Sequence, residues 1–209
     1  MSAYLLAIFD FDGTLADSFP WFCSTLNQTA RQFGFREASP SEIDELRALG
    51  TREIVARLGV PMWKIPAIAM HMRKLSAQAR EAVPLFPGVE PMFAALAGRD
   101  IAIAIVSSNG EDTIRRTLGP AAAHVSHFAC GASLWGKNAK FRSVIKHLGI
   151  DKRRVIAIGD EVRDIEAARS AGIAAGVVTF GYNTGASLRA RGPDLVFDNY
   201  RELLVGLTE

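Results

Sequence analysis

The segment Tyr4-Leu5-Leu6-Ala7-Ile8-Phe9-Asp10-Phe11-Asp12-Gly13-Thr14 runs from an apolar stretch of strand length straight into an acidic turn. An apolar run without polar alternation predicts a strand covered on both faces, as in the middle of a parallel sheet. Period-two geometry then sends Asp10 and Asp12 to the same side of the strand end. Two carboxylates that close invite a divalent cation or a shared proton. Gly13 permits a sharp turn, and Thr14 offers a hydroxyl to the backbone or to a carboxylate.

Two further apolar runs also end in polar groups. Residues 101–106 lead into Ser107-Ser108-Asn109-Gly110, and residues 155–158 into Gly159-Asp160-Glu161. Weaker strand patterns cover residues 125–129, 174–178 and 195–197. Helical patterns lie between them. Phe141, Val144, Ile145 and Leu148 recur at helical spacing before a Gly149 stop. Pro91 is placed to begin a helix that runs to Gly98, and Asn109 to cap one that carries Ile114 and Leu118. Such alternation predicts an α/β fold built on a doubly wound parallel sheet.

Residues 17–84 break this rhythm and read as amphipathic helices. Ile43, Leu46 and Leu49, then Ile54, Val55 and Leu58, have helical spacing, and breaks at Pro61 and Pro66 set off a further helix near residues 68–75. The chain therefore divides into a core, residues 1–16 and 85–209, and a helical insertion, residues 17–84, with hinges at 16–20 and 83–88.

The 209 residues are 49% hydrophobic and 22% charged, enough for a sizeable core and too apolar for a disordered chain. With 24 Lys+Arg against 22 Asp+Glu the net charge is only +2, so nucleic acid is not the expected partner. Cys23 and Cys130 are far apart and lack metal-type spacing, which suits two free, mostly buried thiols in a reducing compartment. The N-terminal apolar run lacks a preceding basic region and stops at Asp10, too short for a signal peptide or a membrane span. A soluble cytoplasmic protein with no membrane partner is expected. Monomer and homodimer both remain open.

Ser107, Ser108 and Asn109 bring hydroxyl, amide and backbone donors to a helix start, a place that suits an anion, although a plain N-cap explains Asn109 as well. Asp160 stands where a strand end can present it to a hard cation, and Asp164 lies one helical turn further on. Mg²⁺ prefers such oxygen ligands. Glu161 is read as solvated. Lys137 can place an ammonium beside the acids, with Lys140, one turn later, as its rival.

In this order the motifs resemble the haloacid dehalogenase-like hydrolase superfamily, over nearly the whole chain. The resemblance implies a Rossmann-like core with Asp10 as nucleophile and Asp12 as general acid/base. It implies that Ser107 and the lysine hold phosphate, that Asp160 and the Asp12 backbone carbonyl bind Mg²⁺, and that Asp164 supports the metal site. Residues 17–84 are similar to the cap such enzymes insert after the first motif. The tail Phe180-Gly181-Tyr182-Asn183-Thr184-Gly185, with Pro193-Asp194 and Arg201-Glu202-Leu203, is similar to the phosphoglycolate-phosphatase-like branch. One departure is that no proline follows Lys137.

The expected function is Mg²⁺-dependent hydrolysis of a small phosphorylated metabolite through an aspartyl phosphate. A phosphomutase or a non-catalytic phosphate- or protein-binding module are the alternatives. A dehalogenase is disfavoured, since a leaving halide needs no acid such as Asp12. His124, His127 and Cys130 do not share one strand face, which argues against zinc. Phe19, Pro20, Trp21 and Phe22 are read as packing, and Arg47, Thr51 and Arg52 as a solvated helix face rather than an anion site.

Overall fold

The computed structural model describes residues 3–79, 83–131 and 136–209. Six parallel strands form one sheet in the order β3-β2-β1-β4-β5-β6: β1 (Leu6–Phe9), β2 (Ala102–Val106), β3 (Val125–Ala129), β4 (Val155–Gly159), β5 (Ala174–Val178) and β6 (Leu195–Phe197). β1 is central, paired with β2 through Leu6↔Ala102 and with β4 through Leu6↔Val155. Strand alternation divides its apolar run between two cores. Ala7 and Phe9 join Ile103, Ile105, Ile156 and Ile158 on one face, and Leu6 and Ile8 join Ala104, Val106, Val155 and Ala157 on the other. A run apolar at every position is what burial on both faces requires.

The helices α5 (Val89–Ala97), α6 (Glu111–Leu118), α7 (Lys137–Leu148), α8 (Val162–Ala171), α9 (Gly185–Ala190) and α10 (Tyr200–Thr208) complete this α/β unit. Phe93 and Leu203 fill the first core, and Phe141 and Ile165 the second. The order of the strands reverses direction across β1, and polar groups at strand C-termini beside such a reversal face a ready-made crevice. Asp10 stands there.

Between β1 and β2 lie α1 (Phe19–Phe33), α2 (Pro40–Leu46), α3 (Thr51–Arg57) and α4 (Ile65–Gln78). Leu26, Ala38, Leu46 and Leu58 bury together as a small core of their own. The chain enters and leaves this insertion at one place: Ala16 bridges Leu85, and the Asp17 N–H donates to the Pro84 carbonyl at 2.8 Å. The two expected hinge segments therefore lie side by side. Among the described residues no helix is long and apolar enough to cross a membrane.

Three local expectations need correction. Pro66 does not interrupt a helix, because it stands in the first turn of α4, where its missing N–H has no carbonyl to serve. Pro91 likewise sits inside the first turn of α5, which begins two residues earlier. Gly110, not Asn109, is the N-cap of α6, because the Asn109 side chain is committed elsewhere. Gly149 ends α7 as expected, in the left-handed conformation at φ 67°. Cys23 and Cys130 are free but only half-buried. Burial raises both thiols, Cys130 to about 11, so neither is an activated nucleophile.

Candidate active site

Asp10 follows β1 directly, and its N–H donates to the Ile158 carbonyl at 2.8 Å, extending the ladder one residue past the strand. Its side chain is buried. Lys137, the first residue of α7, places Nζ 2.7 Å from Asp10 Oδ2 and 2.5 Å from Asp164 Oδ1. Burial works against the lysine charge, but Asp10 and Asp164 outweigh it and hold the ammonium above its ordinary pKa. Burial likewise opposes the Asp164 charge, and Lys137 with Arg163 more than compensates, so this carboxyl lies below its ordinary value. At Asp10 burial prevails over the same lysine, and the carboxyl is raised.

Asp160 leaves the end of β4 with both carboxylate oxygens engaged. Thr14 Oγ1 donates to Oδ1 at 2.6 Å and the Tyr182 N–H donates to Oδ2 at 2.8 Å. Burial, then the negative charges of Glu161, Asp10 and Asp164, raise it well above the ordinary carboxylate range. Asp10, Asp160 and Asp164 each offer an oxygen, all within 4.8 Å of one another. Such a buried, oxygen-only set, in which Asp160 makes no ion pair among the described residues, fits a hard divalent cation. The Asp12 carboxylate is not part of this set.

Asp12 instead accepts from Asn109 Nδ2 at 2.8 Å, and the Asn109 N–H donates to Ser107 Oγ at 3.1 Å. Burial, then the Asp10 charge, push its carboxyl up to about 7. Ser107 is fully buried, and Ser108 is half-buried beside it. Lys140 does not reach the acids: it lines a separate cavity of about 430 Å³ with His127 and Cys130. From that cavity His127 meets the His147 ring, with centroids 4.5 Å apart and the planes tilted by 37°.

Gly13 has φ +73°, and a Cβ there would lie 2.2 Å from Asp160 Oδ2 and 2.5 Å from the Tyr182 ring. A Cβ on Gly159 would fall 2.2 Å from Asp164 Oδ2. These glycines let the acids approach. We expect Gly13→Ala to lower turnover by about 100-fold or more through displacement of Asp160. Steady-state kinetics check this, and wild-type turnover in the variant contradicts it.

Several residues at the site escape sequence reading. Glu161 is not solvated; it is half-buried, paired with Arg163, and near Thr51 Oγ1 at 3.5 Å. Arg47 is no solvated face either. Its guanidinium donates to the carbonyls of Tyr182 and Gly181 at 3.0 and 2.9 Å and lies 4.6 Å above the Phe19 ring. Tyr182 meets Phe19 and Phe22 edge-on, and its hydroxyl lies 3.1 Å from Ser18 Oγ. Phe19 and Phe22 thus pack against a loop of the α/β unit, while Pro20 is exposed.

With this geometry in place, the sequence matches the family described as haloacid dehalogenase-like hydrolase over residues 7–178. The chain belongs to the haloacid dehalogenase-like hydrolases. A phosphoglycolate phosphatase of Synechococcus elongatus is 32% identical over 204 residues, covering 97% of this chain and 96% of its own. Phosphoglycolate phosphatase 1 of Pseudomonas aeruginosa is 26% identical, over 95% of this chain and 78% of its own. A haloacid dehalogenase-like hydrolase of known structure from Streptococcus pneumoniae shares the fold, with a TM-score of 0.78 at 20% identity, over 98% of this chain and 99% of its own. Within the haloacid dehalogenase-like hydrolases the chain falls in the phosphoglycolate-phosphatase-like branch and is a phosphoric monoester hydrolase.

Proposed function

We propose that the protein is a Mg²⁺-dependent phosphatase of a small phosphorylated metabolite that works through an aspartyl phosphate on Asp10. The observation that carries this reading is the buried Asp10 carboxylate, held by Lys137 at 2.7 Å and within reach of Asp160 and Asp164. Asp10, Asp160 and the Asp12 backbone carbonyl would hold Mg²⁺, with Asp164 in support, and the ion supplies positive charge against the phosphate dianion.

Asp10 attacks phosphorus in line, and the ester P–O bond breaks as the Asp10–phosphorus bond forms. The protonated Asp12 carboxyl donates to the leaving alkoxide, and the Asn109 amide keeps that carboxyl aimed. Asp12, now ionised, takes a proton from water. The water oxygen bonds to phosphorus, the acyl phosphate bond breaks, and inorganic phosphate leaves. Lys137 and the donors at Ser107, Ser108 and Asn109 hold the phosphate oxygens through both steps.

Residues 17–84 act in this reading as a cap over the site, hinged where Ala16 meets Leu85. Closure would exclude bulk water and select the substrate. The names of the relatives make 2-phosphoglycolate the first ester to test. The test is phosphate release from a panel of small phosphomonoesters with Mg²⁺ and with chelator. Release that the chelator abolishes, concentrated on one or a few esters, is expected. Equal release in both conditions contradicts the metal reading, and release from none contradicts the hydrolytic one.

A further inference from the structure

One loop of the α/β unit joins the helical insertion to the acid cluster. On its inner side it holds Asp160: the Tyr182 N–H donates to Oδ2 at 2.8 Å, and the Asn183 N–H donates to the Asp160 carbonyl at 3.2 Å. Gly181 packs so closely that a Cβ would lie 2.4 Å from Asp160 Cβ. On its outer side the loop is gripped by the insertion. The Arg47 guanidinium spans the carbonyls of residues 181 and 182, while the Thr184 N–H donates to the Arg47 carbonyl at 3.0 Å. Asn183, 4% exposed, fills the space between. Its Nδ2 donates to the carbonyls of Arg47 and Leu49 at 2.7 and 2.9 Å, and its Oδ1 accepts the Val162 N–H at 2.8 Å. Val162 begins α8, whose first turn carries Asp164.

We propose that Arg47 and Asn183 form a latch through which docking of the helical insertion fixes Asp160, so that both are positioning residues for the acid site. The inference rests on the reading of the insertion as a cap and of Asp160 as a metal holder. The guanidinium is suited to the task because its planar donors address two successive carbonyls at once. Asn183 adds a side chain able to donate twice to the insertion while accepting from the α8 start. An insertion that lifts must release these bonds together and free the loop that orients Asp160. Coupling of this kind is reciprocal: an ion that fixes Asp160 favours the docked insertion.

The test compares wild type with Arg47→Ala, Asn183→Asp, which keeps the acceptor but loses both donors, and Arg31→Ala, a control on the exposed face of the insertion. Mg²⁺ affinity is read by titration calorimetry, and amide exchange is read in α2 and residues 181–184 with and without Mg²⁺. Both latch variants are expected to bind Mg²⁺ about 10-fold more weakly, as loss of a partner that orients a ligand does. Their α2 and loop amides should exchange faster, and added Mg²⁺ should slow α2 exchange in wild type and the control only. In kinetics kcat should fall and half-saturating Mg²⁺ rise, with KM for the ester changed less. Arg47→Lys should restore part of each effect. Unchanged Mg²⁺ affinity and α2 exchange in variants that merely melt earlier would overturn the latch, as would failure of both variants to fold. Should the wild type bind no Mg²⁺, only the metal reading falls, and joint exchange of α2 and the loop decides the latch.

Discussion

Asp10→Asn is expected to lower phosphate release by about four orders of magnitude or more, the scale on which loss of a covalent nucleophile acts. The substitution is nearly isosteric, and the backbone bond from Asp10 to Ile158 does not involve the side chain. Lys137 keeps Asp164 as a partner at 2.5 Å, so no buried ammonium is left alone. The fold should therefore persist, with a melting temperature near that of wild type. The measurement pairs steady-state phosphate release with a thermal melt. A folded Asp10→Asn protein that retains a tenth of wild-type turnover would remove Asp10 from the nucleophile's role.

Lys137→Met should damage stability as well as activity. Its Nζ neutralises two carboxylates that are almost fully buried, at 6% and 4% side-chain exposure. Removing one partner of a buried ionic group leaves charge uncompensated, which costs about 3 kcal/mol. For a chain of this length that is a fall of about 10 °C in Tm. The pH dependence has a definite sign. Lys137 has a raised pKa in the folded state, so its contribution is fully present at neutral pH. Asp164 has a depressed one, so its share is present above the unfolded carboxylate pKa and fades as pH falls through the folded value. In the variant both acids gain protons more readily, and the deficit should shrink from pH 8 towards pH 5. Melts across that range check it, and a constant deficit contradicts the ionic account. Turnover should fall in parallel, because the phosphate loses the cation that meets it beside Asp10.

What was legible in the sequence follows the range over which the physics acts. The β1 run and Asp10 are covalently contiguous, so burial on two faces and the placement of an acid at the strand end could be read from residues 4–14 alone. Lys137 over Lys140 turned on which lysine stands at the first position of α7, a boundary that Gly136 suggested and the ion pairs display. The places of Pro66 and Pro91 differ from the sequence expectation because a proline that breaks a helix and one in its first turn look alike without the neighbouring carbonyls. Asn109 has the residue type of a local cap, but the Asp12 carboxylate is a charged acceptor and captures its amide.

Arg47, Ser18, Tyr182 and Asn183 belong to another class. Arg47 lies 134 and 135 residues from the carbonyls it meets, and Ser18 lies 164 from Tyr182. Neither periodicity nor turn chemistry carries information over such distances. The one available signal was composition: an arginine and an aromatic cluster in a helical insertion, and a glycine-rich loop bearing a tyrosine and an asparagine. These suggest contact surfaces without pairing them.

Hydrolysis through Asp10 requires a covalent phosphate on that carboxylate during turnover. Acid-quenching wild-type enzyme during turnover of the phosphate-labelled ester that ranks first in the panel captures that intermediate. An acid-stable, hydroxylamine-sensitive label is expected in the peptide that contains Asp10, absent from Asp10→Asn and absent when chelator is present from the start. Mg²⁺-dependent phosphate release with no labelled protein, or with the label on another residue, would contradict it.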